Sequence, residues 1–270
     1  MSSSAQELFD AGRLADAIKA QTDEVRALPA DAQRRFLLFS LLAFEGDLAR
    51  AARQLDALGV ATAGGVVEMR TLLCRGLLAA EAERREVWAG RSSPLLAPDA
   101  GPALSTRVEA LARFAANDAA GVARLLEESN TATQAVAGTL NGVAFEQIRD
   151  TDDFAAPVLE VFARGRCVWL GFDQVRRLEL TPPESMLDLL WAPARLTDSR
   201  GNDAHVFLPA LYCGSHAEPA DPLRLGRLTE WRDAAGIAAR GAGQKVLLSV
   251  SGGTEREWSL LDVRTLEVAP

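Results

Sequence analysis

The spacing of apolar positions changes once along this chain, near residue 135. Before that point they recur at helical intervals. Ala32–Glu45 carries Phe36, Leu37, Phe39, Leu41, Leu42 and Phe44, which cover most of a helix circumference. A helix apolar on so many sides is either packed between neighbours or keeps a face for a partner. Pro29 closes the preceding helical segment, 14–28, and Asp31 is placed to cap the next one. A further helix runs over 48–58 and is expected to break at Gly59 and Gly64-Gly65. Val66, Met69, Leu73, Leu77 and Ala80 then form one stripe, on a helix that continues to Trp88 and stops at Gly90. Prolines and small residues over 92–102 mark a loop. Two more amphipathic segments follow, one with Leu104, Val108, Leu111 and Ala115, the other with Val122, Leu125 and Leu126. Asn117-Asp118 turns the chain between them.

After residue 135 the apolar residues fall in short β-branched and aromatic runs. These are 167–172, 175–180, 205–208, 225–231, 245–250 and 257–261. Asn141-Gly142 predicts a tight hairpin, because both residues tolerate positive φ. Pro182-Pro183, Gly201-Asn202 and Gly252-Gly253 separate other runs. One helix is expected over 155–163. Four of the five tryptophans, Trp169, Trp191, Trp231 and Trp258, lie in this half. The reading is therefore α+β: an all-α domain of helical hairpins over 1–135, then a mostly β domain over 136–270.

Within the helical half, Gly12-Arg13-Leu14-Ala15-Asp16-Ala17 recurs as Gly46-Asp47-Leu48-Ala49-Arg50-Ala51, 34 residues later. Leu8 and Leu42 keep the same register. That period is the one of tetratricopeptide (TPR) helix pairs, whose arrays hold other proteins. Glycine permits the tight turn, leucine fills the seam and alanine lets the helices approach closely. Only two units are clear, which predicts a short TPR-like unit and not a long superhelix.

Net charge is −8 and the isoelectric point about 5.0, with basic residues dispersed. Such a chain has no broad attraction to nucleic acid or to an anionic membrane face. By itself this balance favours a partner with basic residues at the contact rim. Cys74, Cys167 and Cys213 form no CxxC pair, as expected of reduced cytosolic thiols. No signal-peptide pattern opens the sequence and no run reaches the ~20 apolar residues of a membrane helix, so a cytoplasmic protein is expected.

Candidate chemistry is sparse. His205 and His216 are the only histidines, and no GxSxG elbow is present. His205, in an apolar run, reads as a packed strand residue, and His216 as a loop residue. Gly241-Ala242-Gly243-Gln244-Lys245 lacks the spacing of a phosphate loop and precedes a strand. Asp150, Asp152 and Asp153 form one acidic cluster. It can be a hard-cation site for metal-assisted hydrolysis, or a loop in which Asp152 or Asp153 caps the following helix. No acid, base and electrophilic stabiliser assemble around it, so neither a catalytic residue nor a cofactor or metal is assigned.

The second half carries a series of words: Gly138-Thr139-Leu140-Asn141-Gly142; Asp150-Thr151-Asp152-Asp153; Pro157-Val158-Leu159-Glu160-Val161; and Gly165-Arg166-Cys167-Val168-Trp169. Next come Asp188-Leu189-Leu190-Trp191-Ala192-Pro193-Ala194, Leu208-Pro209-Ala210-Leu211-Tyr212, Arg227-Leu228-Thr229-Glu230-Trp231 and Gly241-Ala242-Gly243-Gln244-Lys245. In this order they resemble the ImpE/TagJ family, accessory proteins of bacterial type VI secretion. Two departures stand out, Cys167 in place of an aromatic residue and Lys245 in place of an arginine. The resemblance implies a non-enzymatic cytoplasmic adaptor. It would bind the amphipathic N-terminal helix of the small sheath subunit and link the contractile sheath to its disassembling AAA+ ATPase, ClpV. Such a helix would lie in an apolar groove. Phe36, Phe39 and Phe44 on the helical hairpins are candidate anchors, as are Trp169, Trp191 and Trp231 at the seam or on the β surface.

Overall fold

The structure is a computed structural model that describes residues 3–61 and 65–269. Its helices are α1 (Ala5–Asp10), α2 (Leu14–Ala27), α3 (Ala32–Glu45), α4 (Leu48–Ala61), α5 (Val66–Trp88), α6 (Pro102–Ala115) and α7 (Ala119–Ala132). The two-residue strand β1 (Leu95–Leu96) lies between α5 and α6. The break expected at Gly59 does not occur, because α4 runs on to Ala61; Gly64 lies outside the described residues.

The echoed turns have the same backbone in both copies. Gly12 and Gly46 take φ of 77° and 81°. In the first, Arg13 N–H donates to Leu8 O and Gly12 N–H to Phe9 O. In the second, Asp47 N–H donates to Leu42 O and Gly46 N–H to Ala43 O. This is the helix-ending pattern that a left-handed residue closes. The residue after the glycine differs. Asp47 caps its own helix through Arg50 N–H at 2.9 Å. Arg13 cannot, and the N–H of Leu14 donates instead to the carboxylate of Asp221, at 3.2 Å.

The second half contributes β2 (Gly138–Leu140), β3 (Val143–Phe145), β4 (Gln147–Asp150), β5 (Val158–Ala163), β6 (Arg166–Gly171), β7 (Val175–Leu180), β8 (Trp191–Asp198) and β9 (Asp203–Pro209). After a single-turn helix, α8 (Asp221–Arg224), come β10 (Thr229–Ala234), β11 (Ala238–Gly243), β12 (Val246–Ser251), β13 (Thr254–Ser259) and β14 (Thr265–Val268). One sheet has the order β1-β6-β5-β9-β8-β7-β14-β2-β3, antiparallel except for β1 against β6. A second sheet has the order β13-β12-β4, and β10 and β11 form a separate ribbon. Asn141 and Gly142, at φ 50° and 77°, make the expected hairpin turn between β2 and β3. The molecule is α+β, with helices early and strands later.

The helix expected over 155–163 is a turn followed by strand β5. Both faces of β5 are buried, which erases the period-2 pattern and leaves an apolar run, broken only by Glu160, that fits either period. Val158 and Phe162 face the helices, together with Cys167 and Trp169 of β6. Leu159, Val161 and Leu170 face the other way, into a core shared with Ile148, Leu247 and Trp258 of the smaller sheet. The large sheet is thus the middle layer. The apolar core of the helices extends over its helix-facing side by way of Trp169, Trp191 and Leu211. Among the described residues no helix is long and apolar enough to cross a membrane.

Candidate partner-docking cleft

Helix α5 passes over the turn that joins β5 to β6. At the crossing Gly76 and Gly165 meet backbone to backbone: a Cβ on Gly76 would stand 3.6 Å from the Gly165 Cα. A Cβ on either residue would already be in van der Waals contact with the other backbone, and Gly165, at φ 75°, also needs the freedom of glycine. C-terminal to the crossing, α5 is clamped down. Trp88 packs against Trp169 with ring centroids 5.8 Å apart. Beside them lies the buried Glu160 of β5. Its carboxylate accepts from Arg84 Nε (2.7 Å), Trp88 Nε1 (2.8 Å), Lys245 Nζ (3.1 Å) and Trp169 Nε1 (3.2 Å). Burial alone would raise this carboxyl's pKa, but Arg84 and Lys245 outweigh it and hold the group far below the usual carboxylate range. Arg84 also donates to Leu211 O at 2.8 Å. The two positions that depart from the family words meet here, since Cys167 Sγ lies 3.7 Å from the same carboxylate that Lys245 binds.

N-terminal to the crossing, α5 runs free of the sheet. Val66 to Gly76 covers about 15 Å of helix axis at ~1.5 Å per residue. Val67, Thr71 and Cys74 of this stretch turn inward. The other face carries Val66, Met69, Leu72 and Leu73, which are 85%, 71%, 60% and 48% exposed. Contiguous exposed apolar side chains of this kind mark interaction surfaces. Leu72 and Leu73, at the C-terminal end of this face, border an open cleft of about 560 Å³, lined also by Leu77, Phe162 and Phe207 of β9. Arg164 and His205 stand at its rim, both exposed. His205 is therefore a surface strand residue and not the packed one expected, because its side of β9 is open at this point.

Of the residues singled out as anchors, Phe39, Phe44, Trp169 and Trp191 are fully buried, and Phe36 nearly so. Phe36 borders a second recess of about 300 Å³, under the guanidinium of Arg70, 4.3 Å from its ring centroid. Trp231 alone presents an apolar surface, at 41% exposure, with its ring edge-on to Tyr212 at 5.7 Å. The cleft instead brings together the α5 stripe with Leu72, Phe162, Phe207, Arg164 and His205. The stripe was visible in the sequence. Its sheet-side wall was not, since nothing in the spacing of β5 and β9 announces that α5 crosses them.

The acidic cluster is taken up by the chain itself. Asp150 Oδ1 accepts from Asp152 N–H at 2.9 Å and from the Tyr212 hydroxyl at 2.8 Å. Asp152 accepts from the N–H groups of Phe154 and Gly241, each at 2.9 Å. Asp153 accepts from Ala239 N–H at 2.7 Å and pairs with Arg149 at 3.2 Å. Burial raises the Asp150 pKa to about 6 and raises that of Asp152. No helix follows for these residues to cap; they fasten the 150–154 turn to β11. Among the described residues, no group of three His, Cys, Asp or Glu could hold a metal ion.

These features define an α+β scaffold whose open apolar surface lies where its helices meet its sheet. The ImpE protein family model matches residues 142–267. Over 266 residues the chain is 36% identical to the type VI secretion system accessory component TagJ of Pseudomonas aeruginosa, covering 98% of this chain and 91% of that protein. The chain belongs to the ImpE/TagJ family. A crystal structure of a Vibrio parahaemolyticus protein, at 22% identity, superposes with a TM-score of 0.88 over 98% of this chain and 97% of its own, and so has the same fold.

Proposed function

We propose that this protein is a non-enzymatic adaptor of type VI secretion, working in the cytoplasm. It holds the amphipathic N-terminal helix of the small sheath subunit and links the sheath to its ClpV-type AAA+ ATPase. Kinship with TagJ supports the secretion role. The observation that carries the binding mode is the exposed stripe Val66, Met69 and Leu73, which leads at Leu73 into a cleft lined by Leu77, Phe162 and Phe207. A helix seated there would lay its own apolar stripe against α5, at the i, i+3, i+4 spacing that helix-in-groove recognition uses. The exposed Leu228 and Trp231, beside and on the β10–β11 ribbon, offer a separate contact for the ATPase.

Titration calorimetry with a peptide of the sheath subunit's N-terminal helix tests the first contact. Met69→Asp and Leu73→Asp should each weaken binding at least about tenfold. Their stability should stay within ~0.5 kcal/mol of the parent, since both side chains are exposed. No heat and no pull-down with the folded parent would end the adaptor reading. Trp231→Ala should leave peptide binding intact and reduce capture of the ATPase; the opposite pattern would exchange the two surfaces.

A further inference from the structure

The rim of the cleft carries charge of the opposite sign to the molecule. Overall the chain has a charge of −8. The carboxylates near the cleft are already engaged. Glu83 is gripped by Arg166 at 2.7 Å and by Cys167 N–H at 2.8 Å. Asp203 is held by Arg195 at 2.7 Å and by the Thr197 hydroxyl. Asp56 is paired with Arg75 at 2.9 Å. Arg164 forms no ion pair among the described residues. It occupies the first position of the β5–β6 turn at φ 50°, so its backbone is fixed by the hairpin and its guanidinium projects beside the apolar floor. His205 stands beside the same floor, whereas Arg70 of α5 lies over the Phe36 ring in the separate recess, so Arg164 is the charged residue of the cleft lining. At physiological salt the screening length is about 8 Å, so a docked helix responds to Arg164 and not to the distant acidic surface.

We infer that the cleft selects an amphipathic helix with carboxylates along the edge of its apolar stripe, and that Arg164 is the residue that enforces this choice. The inference rests on the adaptor reading only for which natural helix is meant; the chemistry of the edge is read from the cleft. It reverses the expectation that net charge sets, a partner with a basic rim. Arg164 supplies a planar fork of donors suited to a carboxylate. The carboxylate's apolar neighbours cover Met69 and Leu73, which removes water from around the pair and strengthens it.

Two synthetic helical peptides with one shared apolar stripe, edged by glutamate in one and by lysine in the other, test this against the full chain. The glutamate peptide should bind about five- to tenfold more tightly in dilute buffer, and the margin should shrink in 0.5 M salt. Arg164→Glu should invert the preference, and Arg164→Lys should keep it in reduced form. Both variants change only an exposed turn side chain, and unaltered urea unfolding verifies that they fold. Equal binding of the two peptides, preference for lysine, or an Arg164→Glu protein that still prefers glutamate would overturn the inference. The sheath peptide, run alongside, separates the two ideas. If it fails to bind while the synthetic pair is discriminated, the adaptor reading falls and the cleft assignment stands. If it binds and Arg164→Glu leaves its affinity unchanged, the reverse holds.

Discussion

Replacing Glu160 by glutamine keeps the shape of the clamp under α5 and removes its charge. Arg84 would then be buried with Glu81, 3.4 Å away, as its anionic neighbour, and Lys245 with only the more distant carboxyls of Asp150 and Asp152. Taking one partner from a buried ion pair costs about 3–5 kcal/mol, because the remaining charge is left unpaired. Against a total stability of about 5–15 kcal/mol this is a large share. In a chain of this length it lowers the melting temperature by about 6–20 °C. Urea unfolding followed by tryptophan fluorescence measures it directly, since Trp88 and Trp169 donate to the same carboxylate. Adding Lys245→Met removes one stranded cation and should restore at least about half the loss. The acid limb gives an independent check. The folded carboxyl titrates well below its ordinary 4.5. As pH falls from about 5 the unfolded chain takes up the proton first, so the stabilisation is complete above that range and drains away below it. Glu160→Gln should flatten this limb. A loss below about 1 kcal/mol, or an unchanged acid limb, would refute the electrostatic account of the clamp.

Gly46→Ala must strain a backbone at φ 81° and place a Cβ 2.2 Å from the His216 ring, so it should cost about 2–5 kcal/mol in urea unfolding. Gly12→Ala meets only the tip of Arg227, at 3.4 Å, and should cost about 1–2 kcal/mol; equal losses would contradict the packing difference. Asp150 titrates near 6 when folded, against 3.8 ordinarily, so the folded state binds the extra proton and this group makes stability fall as pH rises from about 4 to 6. Asp150→Asn should remove that contribution, at most about 3 kcal/mol, from a pH series of unfolding curves. Burial raises the thiols of Cys74 and Cys213 to about 11 and that of Cys167 further. In native protein at pH 8, thiol labelling should be slow throughout and fastest at Cys213, the least buried; rapid reaction at Cys167 would mean that the clamp opens.

Local chemistry was readable wherever one residue type has one job. Asn141-Gly142 makes its hairpin, and the α5 stripe has the spacing it was given. Reading failed where burial comes from both sides. β5 looks helical because the clue that separates the periods, a polar face, is absent. The tryptophans could be core residues or partner anchors by sequence; Trp169 and Trp191 are core, facing a layer of helices that the spacing of β6 and β8 cannot reveal. The cleft is hidden for the same reason. Half of it is α5 and half is β5 and β9, and only the crossing at Gly76 and Gly165 joins them.

The echoed turns at Gly12 and Gly46 are both occupied by the chain's own second half. Arg227 donates to the carbonyls of Phe9 and Asp10, and Asp221 receives the first N–H of α2. At the second turn Arg224 pairs with Glu45, while the His216 ring lies where a Gly46 Cβ would be. Solenoids need polar terminal units to stop further stacking. Here residues of the 214–228 segment lie across the turn end of both helix pairs. The first two helix turns are therefore fastened by a segment that lies more than 150 residues downstream of them, so the N-terminal helices and the second half hold each other in place.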